Sequence, residues 1–330
     1  MTSKVTIYDV ALAAGVSIST VSLALNSPTR VAAATRQKVL SAADDLGFVP
    51  KADAVTRARR GVGRIGVIAP FSSYPSFARR LNGVFGPLAD GSREVVVFDQ
   101  ESASTTASPL LASLPITQRL DGIVIMALPL DEAIAARLKK QRLATVLVDS
   151  VRDDFDCVST DDRAGGVLVA EHLIERGHRR LAFVGEDQRS HAYVSSSERR
   201  LEGFRAAAAD ALTPAAVRLV SHGVEEACQA THELLDQPDP PTAIFAHDDV
   251  LAAGVLRAAR ERHLTVPGDL AVVGFDDTDL ARALDLTTVH QPFEESGRAG
   301  VQLLLERMHD PAPSPRHVEL PLRLMPRATT

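Results

Sequence analysis

From Arg64 onward the chain repeats one alternation: a short run of β-branched and aliphatic residues, then a longer stretch with apolar residues three and four positions apart. The runs are RIGVIAP, EVVVFD, DGIVIM, ATVLVD, RLAFVG, VRLVSH, TAIFAH, LAVVGFD and TTVHQP. Helix-like segments such as DDRAGGVLVAEHLIERGH and DVLAAGVLRAARERH lie between most of them. Runs that are apolar throughout imply burial on both faces, hence a mainly parallel sheet covered by helices. Nine runs exceed one modest sheet, so the expected body is α/β, two similar parallel-sheet lobes.

Charge sets the first 62 residues apart. They hold eight Lys/Arg against four Asp, a net +4, while the remainder carries −10. A basic head on an acidic body is expected when only the head meets a polyanion, although a solvated face has the same composition. RARRGVGR at 57–64 separates the two, and SASTTASP and PAPSP are loops on composition. No segment approaches the roughly 18 unbroken apolar residues of a membrane span, so no membrane partner is expected. Cys157 and Cys228 sit 71 positions apart with no CxxC or Cys/His cluster. That argues against a disulfide framework or a zinc site, favours buried thiols in a reducing compartment, and leaves no cofactor or metal expected.

Two motifs mislead. GVGRIG at 61–66 matches the dinucleotide fingerprint, but it precedes a strand and follows a basic segment, where the pattern needs a strand before and a helix after. Lys4 with VALAAGV imitates a secretion signal; Tyr8 and Asp9 interrupt it, the apolar run is seven residues, and SISTVS replaces the cleavage site with capping chemistry. An enzyme finds no support beyond residue types, for there is no GxSxG, HExxH or GxxxxGK[ST].

The stretch TIYDVALAAGVSISTVSLALN at 6–26 reads as two helices. Thr6 and Asp9 form an acidic capping box for a helix from Ile7 to Ala14, with Ile7, Val10, Ala11 and Ala14 on one face. Gly15 supplies the turn and Ser17 caps a second helix, whose Val21, Ala24 and Leu25 point back to the first. A third, from about Ala34 to Leu46, buries Val39, Ala42, Ala43 and Leu46 and stops at Gly47. This is an N-terminal all-α helix-turn-helix head, whose second helix presents Ile18, Ser19, Ser22 and Leu23 outward.

These residues, followed by TRQKVLSAADDLGFVP, resemble the DNA-binding head of the lactose-repressor/galactose-repressor family of bacterial transcription regulators. EHLIERGHRRLAFVG, RRLEGFRAA, FAHDDVLAAGVLRAA, VPGDLAVVGFDDT and LTTVHQPFEESGRAGVQLLL continue the likeness through the body. The resemblance implies a cytoplasmic homodimer on a near-palindromic operator, controlled by a two-lobed sensor resembling type I periplasmic sugar-binding proteins. The division expected is a head at 1–50, a hinge at 51–62 and a sensor at 63–330 (lobe 1 about 63–160 plus 291–318; lobe 2 about 161–290 plus 319–330). Ile18, Ser19 and Leu23 take base-reading positions. Thr6, Ser17, Thr20, Ser22, Asn26 and Thr35 take phosphate-gripping ones, joined by Arg30; for Thr20 and Thr35 a solvated or capping role stands beside this. Three residues depart from the family: Leu23 where Arg is frequent, Ala32 where Ser often caps the third helix, and Arg57 where a Leu wedges the minor groove. Ala54 still matches in the hinge.

Ligands of open α/β sheets sit beyond the carboxyl ends of the strands. Those loops hold Phe71, Ser72, Tyr74 and Phe77, then Asp149, His247, Asp248, Asp276 and Gln291, with Arg200 near a helix start and Tyr193 before it. Carboxylates with one Arg suit vicinal hydroxyls, and an aromatic covers a sugar's apolar face. The resemblance carries the effector role most directly onto Asp149, Arg200, His247 and Asp276. Asp248 and Asp277 also read as helix caps, Phe71 and Phe77 as core, and His247, where the family has Asn or Asp, as structural. The resulting expectation is an operator-binding repressor of carbohydrate genes with a sugar effector; a nucleobase sensor or a secreted sugar-binding protein are the alternatives. LRLMPRATT at the end carries no leucine heptad, which favours a dimer over a tetramer.

Overall fold

The computed structural model describes residues 5–27 (Asn26 without its side chain), 30–48, 63–89, 91, 93–100, 111, 120–187, 195–311 and 314–330. The candidate residues Ala54, Arg57 and Tyr193 and the Asn26 side chain lie outside that set. Three helices form the head: α1 (Ile7–Ala14), α2 (Ile18–Asn26) and α3 (Ala33–Leu46). Then follow β1 (Gly63–Ala69), α4 (Ser76–Phe85), β2 (Arg93–Asp99), β3 (Gly122–Met126), α5 (Glu132–Lys140), β4 (Ala144–Val148) and β5 (Asp156–Ser159). Next come α6 (Asp162–Glu175), β6 (Leu181–Glu186), α7 (Ser196–Ala208), β7 (Val217–Val220), α8 (Val224–Leu235), β8 (Ala243–Ala246), α9 (Asp249–Glu261) and β9 (Ala271–Asp276). The chain ends with α10 (Asp279–Ala283), β10 (Thr287–His290), α11 (Phe293–His309), β11 (His317–Glu319) and β12 (Arg323–Met325).

Two compact units result, 1–159 with 293–318 and 160–292 with 319–330. Each holds one sheet, in the orders β11-β5-β4-β3-β1-β2 and β12-β10-β9-β8-β6-β7. The nine runs read from the sequence are all strands, and the central ones are buried on both faces. β2 and β7 lie at sheet edges and are half exposed. Three strands escape the pattern: β5 is short, and β11 and β12 are three-residue edge pieces. Apart from the added end strands, both sheets have the doubly wound order 2-1-3-4-5. Its switch point lies between β1 and β3 in lobe 1 and between β6 and β8 in lobe 2, and in open α/β sheets the carboxyl ends at such a point are where ligands bind.

Two helix pairs, α4 with α11 in lobe 1 and α6 with α7 in lobe 2, meet backbone to backbone at glycines. A Cβ added to Gly83 of α4 would lie 2.0 Å from the Glu294 carbonyl oxygen of α11, and one on Gly297 would lie 1.9 Å from that of Arg80. In lobe 2 a Cβ on Gly166 of α6 would meet the Arg200 carbonyl oxygen at 2.0 Å, and one on Gly203 of α7 that of Arg163 at 1.9 Å. No side chain fits at these crossings. Beneath the lobe 2 crossing, Phe183, Phe204, Phe245 and Phe275 are wholly buried, with neighbouring ring centroids 5.1–6.3 Å apart.

The head closes around Val10, Val21, Ala24, Leu25, Val39, Leu40, Ala43 and Phe48. Here the sequence expectation needs one correction: Leu46 is 38% exposed, whereas Leu40 is 1% exposed. Gly47 adopts the left-handed conformation (φ 64°) and turns the chain, so Phe48 donates its N–H to the Ala43 carbonyl at 2.8 Å and fills the space at the end of α3. Leu40→Ala is therefore expected to cost about 2–5 kcal/mol and unfold the head. Leu46→Ala should stay within about 0.5 kcal/mol. Urea titrations of the two variants followed by helical circular dichroism check the contrast. Gly203→Ala, by overpacking the α6–α7 crossing, should lose about 1–3 kcal/mol, read as a lower urea midpoint; an unchanged midpoint would mean the crossing has slack.

Candidate functional site

In the head, the Asp9 carboxylate accepts from the Thr6 N–H (2.8 Å) and hydroxyl (2.7 Å), fixing the start of α1. Gly15 is left-handed (φ 65°), and the axes of α1 and α2 meet at 101°, the angle of a helix-turn-helix. Ser17 caps α2 by accepting from the Thr20 N–H at 3.1 Å, and its hydroxyl lies 2.8 Å from those of Ser19 and Thr20. Val21, Ala24 and Leu25 are buried, which turns Ile18 (40% exposed), Ser19 and Leu23 (36% exposed) outward together. Ser22, Thr20 and Thr35 are half-buried, and Thr6 and Arg30 exposed. Ala32 stands at the N-cap of α3 and makes no side-chain cap bond. Among the described residues, no single helix is long and apolar enough to cross a membrane.

In lobe 2, Ser195 caps α7 and the glycine crossing lays Arg200 against the start of α6. Arg200 is buried. Its Nε donates to Asp162 Oδ1 at 2.9 Å, and its Nη1 donates to the His247 carbonyl at 2.5 Å and faces His247 Nδ1 at 3.2 Å. Its Nη2 lies 3.8 Å from Asp276 Oδ1, and the guanidinium rests 3.7 Å above the Phe275 ring centre. Gln291 Nε2 donates to the same Asp276 oxygen at 2.6 Å, and Thr160 donates to Gln291 Oε1 at 3.4 Å. A buried charge is tolerated when its hydrogen-bonding groups are matched, and Arg200 is matched on three sides.

The neighbouring acids and histidines divide by surroundings. Burial pushes the Asp276 carboxyl up to about 7, with Asp249 and Asp248 adding to it against the pull of Arg200. Burial likewise pushes His247 down to about 3, so the ring is neutral and its Nδ1 accepts from Arg200. Burial opposes the ionisation of Asp248 too, yet the hydrogen bond from His222 Nε2 (2.5 Å) holds it well below the usual carboxylate range. The same bond and charge raise His222 against its own burial. Asp248 Oδ1 also caps α9, accepting from the Leu251 N–H at 2.8 Å. Asp277, expected to cap the next helix, does not: Arg327 Nη2 (2.5 Å) and His290 Nδ1 (3.0 Å) hold its carboxylate, and Thr278 takes the N-cap place. Its backbone is left-handed at φ 54°.

Lobe 1 carries a related arrangement. Phe71, Ser72 and Tyr74 follow β1, and the Ser72 N–H donates to Asp99 Oδ1 at 2.9 Å. Phe77 is buried, edge-on to Phe71 at 6.4 Å and tilted to Tyr74 at 6.1 Å. One turn later the buried Arg80 lies between the rings of Phe77 (4.9 Å) and Phe293 (4.3 Å) and pairs with Asp149 at the end of β4.

The two lobes place these groups equivalently. β1 and β6, α4 and α7, and β4 and β9 occupy matching positions in the two sheets, so Arg80 corresponds to Arg200 and Asp149 to Asp276. Arginine and aspartate are 69 and 76 residues apart, and both aspartates have left-handed backbones (φ 57° and 108°). Such strain costs of order 1–3 kcal/mol and collects where a site needs a particular geometry. Sequence reasoning named Arg200, Asp149 and Asp276 but missed Arg80, Asp162, His222 and Asp99. A signal for Arg80 was present: RRLNG at 79–83 repeats as RRLEG at 199–203, arginine and crossing glycine included.

Comparison with known proteins agrees with this architecture. Residues 6–51 match the model for bacterial regulatory proteins of the lacI family, and residues 170–330 match a periplasmic binding protein-like domain. The HTH-type transcriptional repressor PurR of Photobacterium profundum is 31% identical over 313 residues, covering 92% of each chain. Among solved structures, the transcriptional regulator CelR in complex with cellobiose superposes with a TM-score of 0.71 at 28% identity, covering 99% of this chain and all of the other. A LacI family regulator from Enterococcus faecium with bound ribose gives a TM-score of 0.68 at 29% identity, over 81% of this chain and 98% of the other. A helix-turn-helix joined to two doubly wound lobes, matched in sequence over nearly its full length, is a transcriptional regulator, and the chain belongs to the lacI family.

Proposed function

We propose that this protein is a cytoplasmic repressor, a homodimer whose two heads grip adjacent half-sites of a near-palindromic operator, and that a sugar controls its hold on the DNA. The observation that carries this reading is the pair of acceptor-rich, arginine-anchored clusters at the carboxyl ends of the strands. Asp149, Asp276 and Gln291 present acceptors, Arg80 anchors Asp149 while Arg200, held by His247, lies beside Asp276, and Phe71, Tyr74 and Phe77 supply apolar faces, with Ser72 and Tyr193 completing the set. Vicinal hydroxyls satisfy such acceptors while aromatic rings cover the C–H face of a pyranose or furanose. The cellobiose and ribose in the related structures support the same ligand class. For the dimer, lobe 2 offers a partly apolar groove lined by Val224, Leu256, Leu280 and Leu284.

On the DNA side, Ile18, Ser19 and Leu23 read bases. Thr6, Ser17, Thr20, Ser22, Asn26, Arg30 and Thr35 hold the backbone, and Ala54 and Arg57 follow the minor groove, where arginine favours narrow A·T-rich tracts. Leu23 offers apolar contact alone, suited to a thymine methyl. Leu23→Arg is expected to move the preference at its base pair toward guanine by about 1–3 kcal/mol. Gel-shift titrations with single-base operator variants test this; an unchanged preference would remove Leu23 from the reading face.

A thermal-shift screen against pentoses, hexoses and disaccharides tests the effector class, since a ligand that binds the native state raises Tm. Asp276→Asn should retain operator binding and lose the response to the sugar found. The raised Asp276 pKa also sets a pH dependence. Ionising this carboxyl costs free energy in the folded lobe, so its contribution to stability falls as pH rises from the ordinary carboxylate range through about 7. A sugar hydroxyl donated to the carboxylate favours the ionised form, so affinity should rise by up to about tenfold per pH unit below that point and level off above it. Calorimetric titration across this window, with Asp276→Asn as control, checks the slope; a flat profile in the parent protein contradicts direct contact.

A further inference from the structure

Cys228 and His232 stand one turn apart on α8, and Glu261 ends α9 beside them. Their donor atoms form a triangle. Cys228 Sγ lies 3.8 Å from His232 Nε2 and 3.6 Å from Glu261 Oε2, and His232 Nε2 lies 3.0 Å from Glu261 Oε2. Around a tetrahedral zinc ion, with bonds of about 2.3 Å to sulfur and about 2.0 Å to nitrogen and oxygen, ligand atoms sit about 3.3–3.6 Å apart. The observed triangle matches that one to within small side-chain adjustments. Among the described residues it is the one group of three or more His, Cys, Asp and Glu whose ligand atoms converge this closely.

We propose that Cys228, His232 and Glu261 bind a divalent transition ion of the zinc class through one sulfur, one nitrogen and one oxygen, with the fourth position open to water. The cysteine is buried, the histidine half-buried and the glutamate exposed, so the ion enters from the Glu261 side. Arg257 Nε donates to Glu261 Oε1 at 2.8 Å, which leaves Oε2 turned toward the other two donors. The two arginines nearby are matched by acids outside the triangle, Arg257 by Glu225 at 2.6 Å and Arg262 by Asp236 at 2.7 Å.

Metal uptake balances as a proton exchange. Arg262 Nε donates to His232 Nδ1 at 2.9 Å, which puts the ring proton on Nε2, facing Glu261. The ion takes Nε2 and the ring proton moves to Nδ1. Arg262 gives up that one contact and keeps Asp236 and the His232 carbonyl. The Cys228 thiol, pushed up by burial, releases its proton to solvent as the metal–sulfur bond forms. Once bound, the ion ties the end of α9 to the middle of α8. The sequence disfavours a zinc site because Cys228 and His232 make only a four-residue spacing and the third ligand follows 29 residues later, on another helix.

Titration of the full-length protein with Co²⁺, in competition with Zn²⁺, tests the site. One equivalent of Co²⁺ should produce a sulfur-to-cobalt charge-transfer band in the near ultraviolet and tetrahedral d–d absorption in the visible, both bleached by Zn²⁺. Cys228→Ala should abolish the charge-transfer band. His232→Asn and the surface variant Glu261→Gln, checked for native circular dichroism, should each weaken binding at least about tenfold, the lower end of what even a supporting residue contributes. Absence of the band in the parent protein, its persistence in Cys228→Ala, or unchanged affinity in the natively folded Glu261→Gln would each overturn the proposal.

Discussion

The contact on which both lobes depend is a helix crossing with no side chain in it. Where α4 meets α11 and α6 meets α7, glycine lets two backbones touch, and in each case an arginine from one of those helices is brought to the sheet's carboxyl edge. A buried guanidinium must be paired, so the crossing dictates what surrounds it: Asp149 and two aromatic rings in lobe 1, Asp162, His247, Asp276 and Phe275 in lobe 2. Core and site are thus one construction. The phenylalanine layer of lobe 2 ends in Phe275, whose ring is the floor under Arg200 and whose neighbour, Asp276, is the carboxylate held near neutrality.

The clusters differ in a way that suits a sensor. In lobe 2 the arginine is satisfied by protein groups, while Asp276 is raised by burial and, among the described residues, has Gln291 at 2.6 Å and Arg200 at 3.8 Å. On the proposed reading, the hydroxyls of a ligand donate further hydrogen bonds to this carboxyl. For such a ligand to regulate DNA binding it must favour one of two states of the protein; the chain passes from one unit to the other near residues 160, 292 and 318. His222 and Asp248 are hydrogen-bonded in the same lobe, and Asp248 holds the start of α9.

Much of this was legible in the sequence, and the parts that were not have physical reasons. The nine apolar runs gave nine strands: burial on both faces marks the central ones, and the half-exposed edge strands β2 and β7 still carry β-branched runs. β5, β11 and β12 did not, being short and, for the last two, at sheet edges. In the head, periodicity located α3 but misassigned Leu46, because the left-handed Gly47 lets Phe48 take its place in the core. Asp277 looked like a cap and is an ion-pair partner of Arg327, 50 positions away. Arg80, Asp162 and His222 were overlooked because their roles come from partners on other elements; only the RRLNG and RRLEG pair betrayed the duplication. The outward face of α2 was legible directly, since exposure there follows from which of its residues face α1 and α3.

The central proposal is that the arginine–aspartate clusters at the strand ends take up the effector. Hydrogen exchange of the full-length protein, with and without the sugar that most raises its Tm, addresses this directly. The account predicts added protection in the segments around Phe71–Arg80 and Asp149 of lobe 1 and around Arg200, His247 and Asp276–Gln291 of lobe 2. Protection confined to one lobe, or found away from these strand ends, would contradict it.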